Sequence, residues 1–344
     1  MIDAHAAVET LSDELVEQDI DRGERARLRK QVLRLRDRDQ TFPLALVRKT
    51  LPEGPTRPPV VLVHGFAQNR YTWHTSTRSM VNWLAQRGWD VYNVELRGHG
   101  RSRPEAMPEG ERISDYVGDI AQLARFFDGK AYFVGHSLGG AVIYGAATQA
   151  PMAGVVGIAA LYHFGRANWL MGLLARTSWE NRAFILRHLT FRTRAIGWLL
   201  ARLYAVSDVA GYTFPISGWW PGSVEPELLQ ERLIHGFDWT SARVWLEMGR
   251  WAATGTFDYD EAWARTDVPL LVLAGDEDHL MPPEDARAAY DRSGSNDKSL
   301  VVLNDYEHEV HWGHLDIVLG REAPRIVWPM VESWLRERAD ATPR

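Results

Sequence analysis

The chain has 344 residues, 45% of them hydrophobic, enough to bury a large core in one enlarged domain or two smaller ones. Its formal net charge of −6 gives no whole-chain reason to expect nucleic acid as a partner, and the absence of cysteine excludes disulfides, thiolate catalysis and cysteine-held metals. The first fifteen residues have neither the basic start nor the apolar stretch of a signal peptide, and no run of about 18 apolar residues predicts a membrane-spanning helix. A cytoplasmic soluble protein is therefore expected.

Residues 1–40 read as an N-terminal helical segment, with Val8, Leu11 and Leu15 on one face and Leu28, Val32 and Leu35 on another. From Asp21 to Arg38 there are eight basic residues against three acidic ones. Such a stretch could hold an anionic membrane or a partner. With no Trp, Tyr or Phe to anchor it, a solvated helix packed through one leucine stripe is the expected outcome, and peripheral membrane contact is not expected.

Residues 41–161 alternate apolar strands with helical segments, which indicates a parallel sheet covered on both faces. Residues 42–48 are expected to form an edge strand. The buried strand 59–63 runs into His64-Gly65-Phe66, and strand 90–94 ends at Arg97-Gly98-His99-Gly100-Arg101-Ser102. Helical spacing over 115–127 follows through Tyr116, Ile120, Leu123 and Phe127. The strand 131–134 then leads directly into Gly135-His136-Ser137-Leu138-Gly139-Gly140. A serine flanked by small residues two positions away, between a strand and an Ala/Gly-rich helix, is the pattern of a nucleophile elbow.

Residues 162–262 break the alternation. Helical stretches are expected at 169–175, 184–189 and 196–204, then an irregular passage at 213–221, with helical patterning again from Glu227. Eight of the fifteen tryptophans fall in this segment. Residues 263–344 restore the strand–helix order, with strands at 268–274 and 298–303 and a closing helix at 324–338.

This ordered series resembles the α/β-hydrolase superfamily, over about residues 41–161 and again over about 264–335. The resemblance implies a mostly parallel sheet flanked by helices, with residues 162–262 inserted as a helical cap that supplies an apolar pocket above the serine. It also implies the chain order serine, acid, histidine. Gly275-Asp276-Glu277-Asp278 leads toward Pro282, and the family register of glycine, acid three residues later and proline four beyond selects Asp278. Asp276 is expected to cap or brace the turn, and Glu277 is a distant third candidate. Among His308, His311 and His314, the segment Gly313-His314-Leu315-Asp316 matches the usual position of the catalytic histidine. It also looks like the acid-lipase group, which Val61-Leu62-Val63-His64-Gly65, Trp73, Arg97-Gly98 and Ser102-Arg103 follow loosely. Secreted members of that group carry cysteines and a signal peptide, so their triglyceride activity is not carried over.

By the same resemblance, the backbone N–H groups of Phe66 and Leu138 form the oxyanion hole. His64 and the Arg97-Gly98-His99-Gly100 turn are expected to be architecture. Histidines at every third position fan outward rather than converge, so no metal is expected, and no cofactor is required. The expected activity is hydrolysis of a small, hydrophobic carboxylic ester by Ser137, His314 and Asp278. The same triad would serve an acyltransferase or perhydrolase, and a non-catalytic ligand-binding protein could keep the scaffold. Epoxide hydrolases and haloalkane dehalogenases resemble this scaffold but carry aspartate where Ser137 stands.

Overall fold

Among the residues described by the computed structural model (6–37, 44–103, 111–188, 198–199, 202 and 217–341), nine strands form one sheet in the order β1-β2-β3-β5-β4-β6-β7-β8-β9. The strands are β1 (Ala6–Asp21), β2 (Glu24–Asp37), β3 (Leu44–Thr50), β4 (Pro59–Val63), β5 (Asp90–Glu95), β6 (Tyr132–His136), β7 (Gly154–Ile158), β8 (Leu270–Gly275) and β9 (Lys298–Leu303). From β5 to β9 the pairing is parallel. These strands are short apolar runs because both of their faces are covered.

One face is covered by α2 (Ile113–Phe126), α3 (Leu138–Ala147) and α9 (Pro283–Arg292), which supply Val117, Ile143 and Ala289 to one buried cluster. The other is covered by α1 (Met80–Gln86) and α12 (Val327–Ala341), whose Trp83 and Trp328 rings meet edge-on at 5.9 Å. Burying such large aromatic surfaces on both faces is the main favourable term in holding the sheet.

The N-terminal segment is a correction. Residues 6–37 form a long antiparallel hairpin, not helices. Its two-residue turn, Arg22-Gly23, has φ of 48° and 85°, the doubly positive pattern that matches the twist of paired strands. The leucine spacing misled because a four-residue step keeps a side chain on one face of a strand as well as of a helix. A bulge at Leu11, between Thr10 and Ser12, supplies the three-residue step in β1, whereas in the unbroken β2 the step from Val32 to Leu35 turns the two side chains to opposite faces. The basic run also finds its counterpart across the hairpin. Arg29 bonds Asp13 at 2.6 Å and Lys30 bonds Glu14 at 2.7 Å, so part of the basic charge is met by β1. Strand β3 is likewise not an edge, since it pairs with both β2 and β5.

Between β7 and β8 the regular elements among the described residues are helices: α4 (Trp169–Glu180), α5 (Arg182–His188), α6 (Pro226–His235), α7 (Ala242–Thr254) and α8 (Asp260–Trp263). Most of the stretch 196–204, and the first part of the passage 213–221, lie outside the described residues. The chain closes through α10 (Asp305–His308) and α11 (Asp316–Leu319) before α12.

Candidate active site

Strand β6 ends at His136 and α3 begins at Leu138, so Ser137 makes the whole turn by itself. Its φ of 56° and ψ of −125° lie where non-glycine residues are strained by about 1–3 kcal/mol. The surroundings over-determine that geometry. Ser137 N donates to the Ile158 carbonyl at 3.2 Å, and Leu161 N donates to the Ser137 carbonyl at 2.9 Å. A Cβ on Gly135 would lie 2.5 Å from the Gly139 carbonyl oxygen, and one on Gly140 would lie 2.9 Å from Ala160 Cα. The small residues of the motif are thus steric requirements of the turn.

The loop after β4 touches the serine directly. A Cβ on Gly65 would sit 2.8 Å from Ser137 Cβ. Fully buried His64 holds this loop as the sequence suggests, its Nε2 accepting from Leu96 N at 3.0 Å and its Nδ1 donating to the Gly65 carbonyl at 3.0 Å. Burial, reinforced by nearby His99 and Arg232, holds its pKa well below the ordinary histidine value. Leu138 opens α3, so its N–H has no partner within the helix. Phe66 follows Gly65 on the touching loop.

Asp278 lies beyond β8 with its side chain fully buried. Its Oδ1 accepts from Leu280 N at 3.0 Å and Met281 N at 2.7 Å, while Oδ2 lies 2.8 Å from His314 Nδ1. A carboxylate only accepts, so Nδ1 of His314 carries a proton and Nε2 is left as the basic nitrogen. The His314 carbonyl accepts from His136 Nε2 at 2.8 Å, and the two rings lie 4.6 Å apart. His314 is thereby fixed to the residue preceding Ser137.

Asp276 takes the bracing role expected of it. It accepts from Trp312 N at 2.9 Å and lies 2.6 Å from His311 Nδ1. That hydrogen bond raises the His311 pKa, against a partial desolvation by burial. His308 Nδ1 accepts from Asn304 N at 3.3 Å. The three histidines therefore turn to three different partners. Ligand atoms of Asp276, Asp305 and His311 do come within 4.8 Å of one another, close enough to share a cation, although the Asp276 carboxylate already occupies Nδ1 of His311.

Two residues of this site carried no role in the sequence reading. His136 looks like filler within its motif, yet it carries the link to His314. Burial, with His314 next in effect, depresses its pKa well below the ordinary value and keeps it neutral. Asp316, buried in α11, accepts from Gly313 N at 2.8 Å and Trp220 N at 3.1 Å. Its carboxyl is pushed up to about 7 by burial, against the pull of those N–H donors. It ties the histidine loop to the segment before α6, as does the bond from Leu315 N to the Gly218 carbonyl at 2.9 Å. From α7, the Trp245 ring reaches Phe66 at 6.1 Å and Phe164 at 5.8 Å. No spacing rule points to these contacts, because all but the Gly313–Asp316 bond join residues about eighty or more apart.

Among curated proteins, the chain is 36% identical over 104 residues to epoxide hydrolase B of Mycobacterium tuberculosis, covering 29% of this chain and 28% of that protein. It is 34% identical over 95 residues to a probable alcohol acetyltransferase of Saccharomyces cerevisiae, covering 27% of each. The alignments thus span little more than a quarter of these relatives. Among solved structures it is similar to a monoacylglycerol lipase of Paleococcus ferrophilus, with a TM-score of 0.61, 19% identity, and coverage of 86% of this chain and 99% of that one. A thermophilic esterase of Thermogutta terrifontis superposes with a TM-score of 0.57 at 19% identity, covering 95% of this chain and 99% of that one. The family model described as alpha/beta hydrolase fold matches residues 58–315. The chain belongs to the α/β-hydrolase fold family.

Proposed function

We propose that this hydrolase cleaves carboxylic esters with a hydrophobic acyl or alcohol part, through an acyl-enzyme on Ser137. One observation carries the reading: a strained serine is followed by a free helix-start N–H and joined through His136 to a histidine with a buried carboxylate behind it. Ser137 Oγ attacks the ester carbonyl carbon while His314 Nε2 takes its proton. Asp278 holds the imidazole tautomer and balances the imidazolium that forms. The Phe66 and Leu138 N–H groups receive the oxyanion, and losing one such donor raises the barrier by about 3–4 kcal/mol. His314 then protonates the departing alcohol, and water cleaves the acyl-enzyme by the same proton transfers in reverse.

The helices between β7 and β8 act as a cap in this reading, with Trp245 beside Phe66 contributing apolar surface and excluding water. Serine at the nucleophile position favours an acyl-enzyme over the aspartate chemistry associated with epoxide hydrolases. The acetyltransferase relative supports a second reading, in which an alcohol captures the acyl group. A panel of p-nitrophenyl esters of graded chain length, with wild type and Ser137→Ala, tests the proposal. Turnover should favour apolar acyl groups and disappear in the variant. Added alcohol shows whether water or an alcohol takes the acyl group. Equal rates for the two proteins would end the reading.

A further inference from the structure

The antiparallel flank of the sheet carries a charge arrangement that ester chemistry does not use. In the β2–β3 register Lys30 stands directly opposite Lys49. Like charges facing one another across a ladder are destabilising. Lys49 is 1% exposed, and its Nζ donates to two neutral amides, Gln18 Oε1 at 2.5 Å and Asn82 Oδ1 at 2.6 Å. The Asn82 amide is fixed in that orientation because its Nδ2 donates to the Asp19 carbonyl at 2.7 Å. Among the described residues no carboxylate pairs with Lys49. Burial, with Lys30 and Arg70 adding to it, brings its ammonium pKa down to about 7. A buried cation without a counter-ion is costly and calls for one.

Lys49 lines a pocket of about 200 Å³ between the N-terminal hairpin, β3 and the turn that follows Asn69. The other cations there are unequally satisfied. Lys30 meets Glu14 and Arg70 meets Glu95, each at 2.7 Å. Arg101 is exposed, and its guanidinium has no ion pair among the described residues. The lining carboxylate, Glu231, is turned onto Ser76, accepting from its N at 2.8 Å and its Oγ at 2.5 Å. Asn93, 2% exposed, also lines the pocket. Its Nδ2 donates to the Arg70 carbonyl at 3.0 Å, while its buried Oδ1 has no partner.

We propose that this pocket binds a phosphate-type oxyanion, held by the Lys49 ammonium and the Arg101 guanidinium, with a protonated phosphate oxygen donating to Asn93 Oδ1. A buried ammonium, an open guanidinium and an orphan acceptor are together the complement of a partly protonated phosphate. The site is independent of Ser137 chemistry. It draws on the N-terminal hairpin, since Gln18 and Lys30 come from β1 and β2.

The test is isothermal titration calorimetry of the full chain with inorganic phosphate in phosphate-free buffer, beside sodium chloride at matched ionic strength. Glycerol 1-phosphate in a parallel arm distinguishes an esterified from a free phosphate as occupant. Saturable phosphate binding that chloride does not reproduce is expected, with a rise in thermal midpoint. Lys49→Met should bind at least about tenfold more weakly, the loss of one charge-assisted hydrogen bond. Arg101→Ala, an exposed change that leaves the core intact, should weaken binding several-fold, and circular dichroism checks that both variants fold. Absence of saturable binding, an equal effect of chloride, or wild-type affinity in both variants would overturn the proposal.

Discussion

Replacing Asp278 by asparagine tests the site at its most constrained atom. Oδ1 of Asp278 accepts from two backbone N–H groups, of Leu280 and Met281. An asparagine must therefore present its carbonyl oxygen there, since the amide nitrogen would set donors against donors at a fully buried position. That choice turns the NH₂ group toward His314 Nδ1, where a carboxylate oxygen stands 2.8 Å away in the wild type. Nδ1 must then accept, the ring proton moves to Nε2, and the nitrogen that should take the serine proton is blocked. A triad locked in the wrong tautomer loses about 10⁴ in kcat, roughly 5 kcal/mol of barrier. Substrate binding, which does not use this proton, should change little. The measurement is kcat and KM on a p-nitrophenyl ester, with circular dichroism confirming the fold. Asp276→Asn is the matched control. It alters the partner of His311 rather than His314, so kcat should stay within a few-fold of wild type. A folded Asp278→Asn enzyme with near wild-type kcat, or a larger loss in Asp276→Asn, would refute the reasoning.

Two further predictions concern stability. Gly140→Ala should cost about 1–3 kcal/mol, because the new methyl group presses on Ala160 where α3 crosses β7, and overpacking of this kind is seldom relieved; an unchanged urea midpoint would show that the elbow can yield. His311 has a pKa raised by its bond to Asp276, so its charged form stabilises the fold. That contribution is complete below the ordinary histidine value and fades as pH rises through the raised folded value. The difference in thermal midpoint between wild type and His311→Ala should therefore shrink from about pH 6 to about pH 8. A difference that stays flat over that range would contradict the assignment.

What could be read along the chain was whatever a few neighbouring residues decide. The elbow at Ser137 is a local steric problem, in which a strand must turn into a helix with small residues on either side. Its sequence therefore announces it, as do the apolar runs of β4, β5, β6 and β8 and the glycine of the loop after β4. The N-terminal hairpin was misread for an equally local reason. A four-residue step fits both a helix and a strand, and what separates them is the turn at Arg22-Gly23 and the charges on the opposite strand. Tertiary structure alone decides which carboxylate meets which histidine. Asp276 and His311 are 35 residues apart, and Asp278 and His314 are 36, so spacing barely separates the two pairs. The three-dimensional paths of the loops after β8 and β9 bury one pair against His136, the residue before Ser137, and leave the other partly exposed. The same holds for His136, Asp316 and the facing lysines at positions 30 and 49. Each acquires its surroundings from a segment distant in the chain, and burial and charge pairing exist only once those segments are packed.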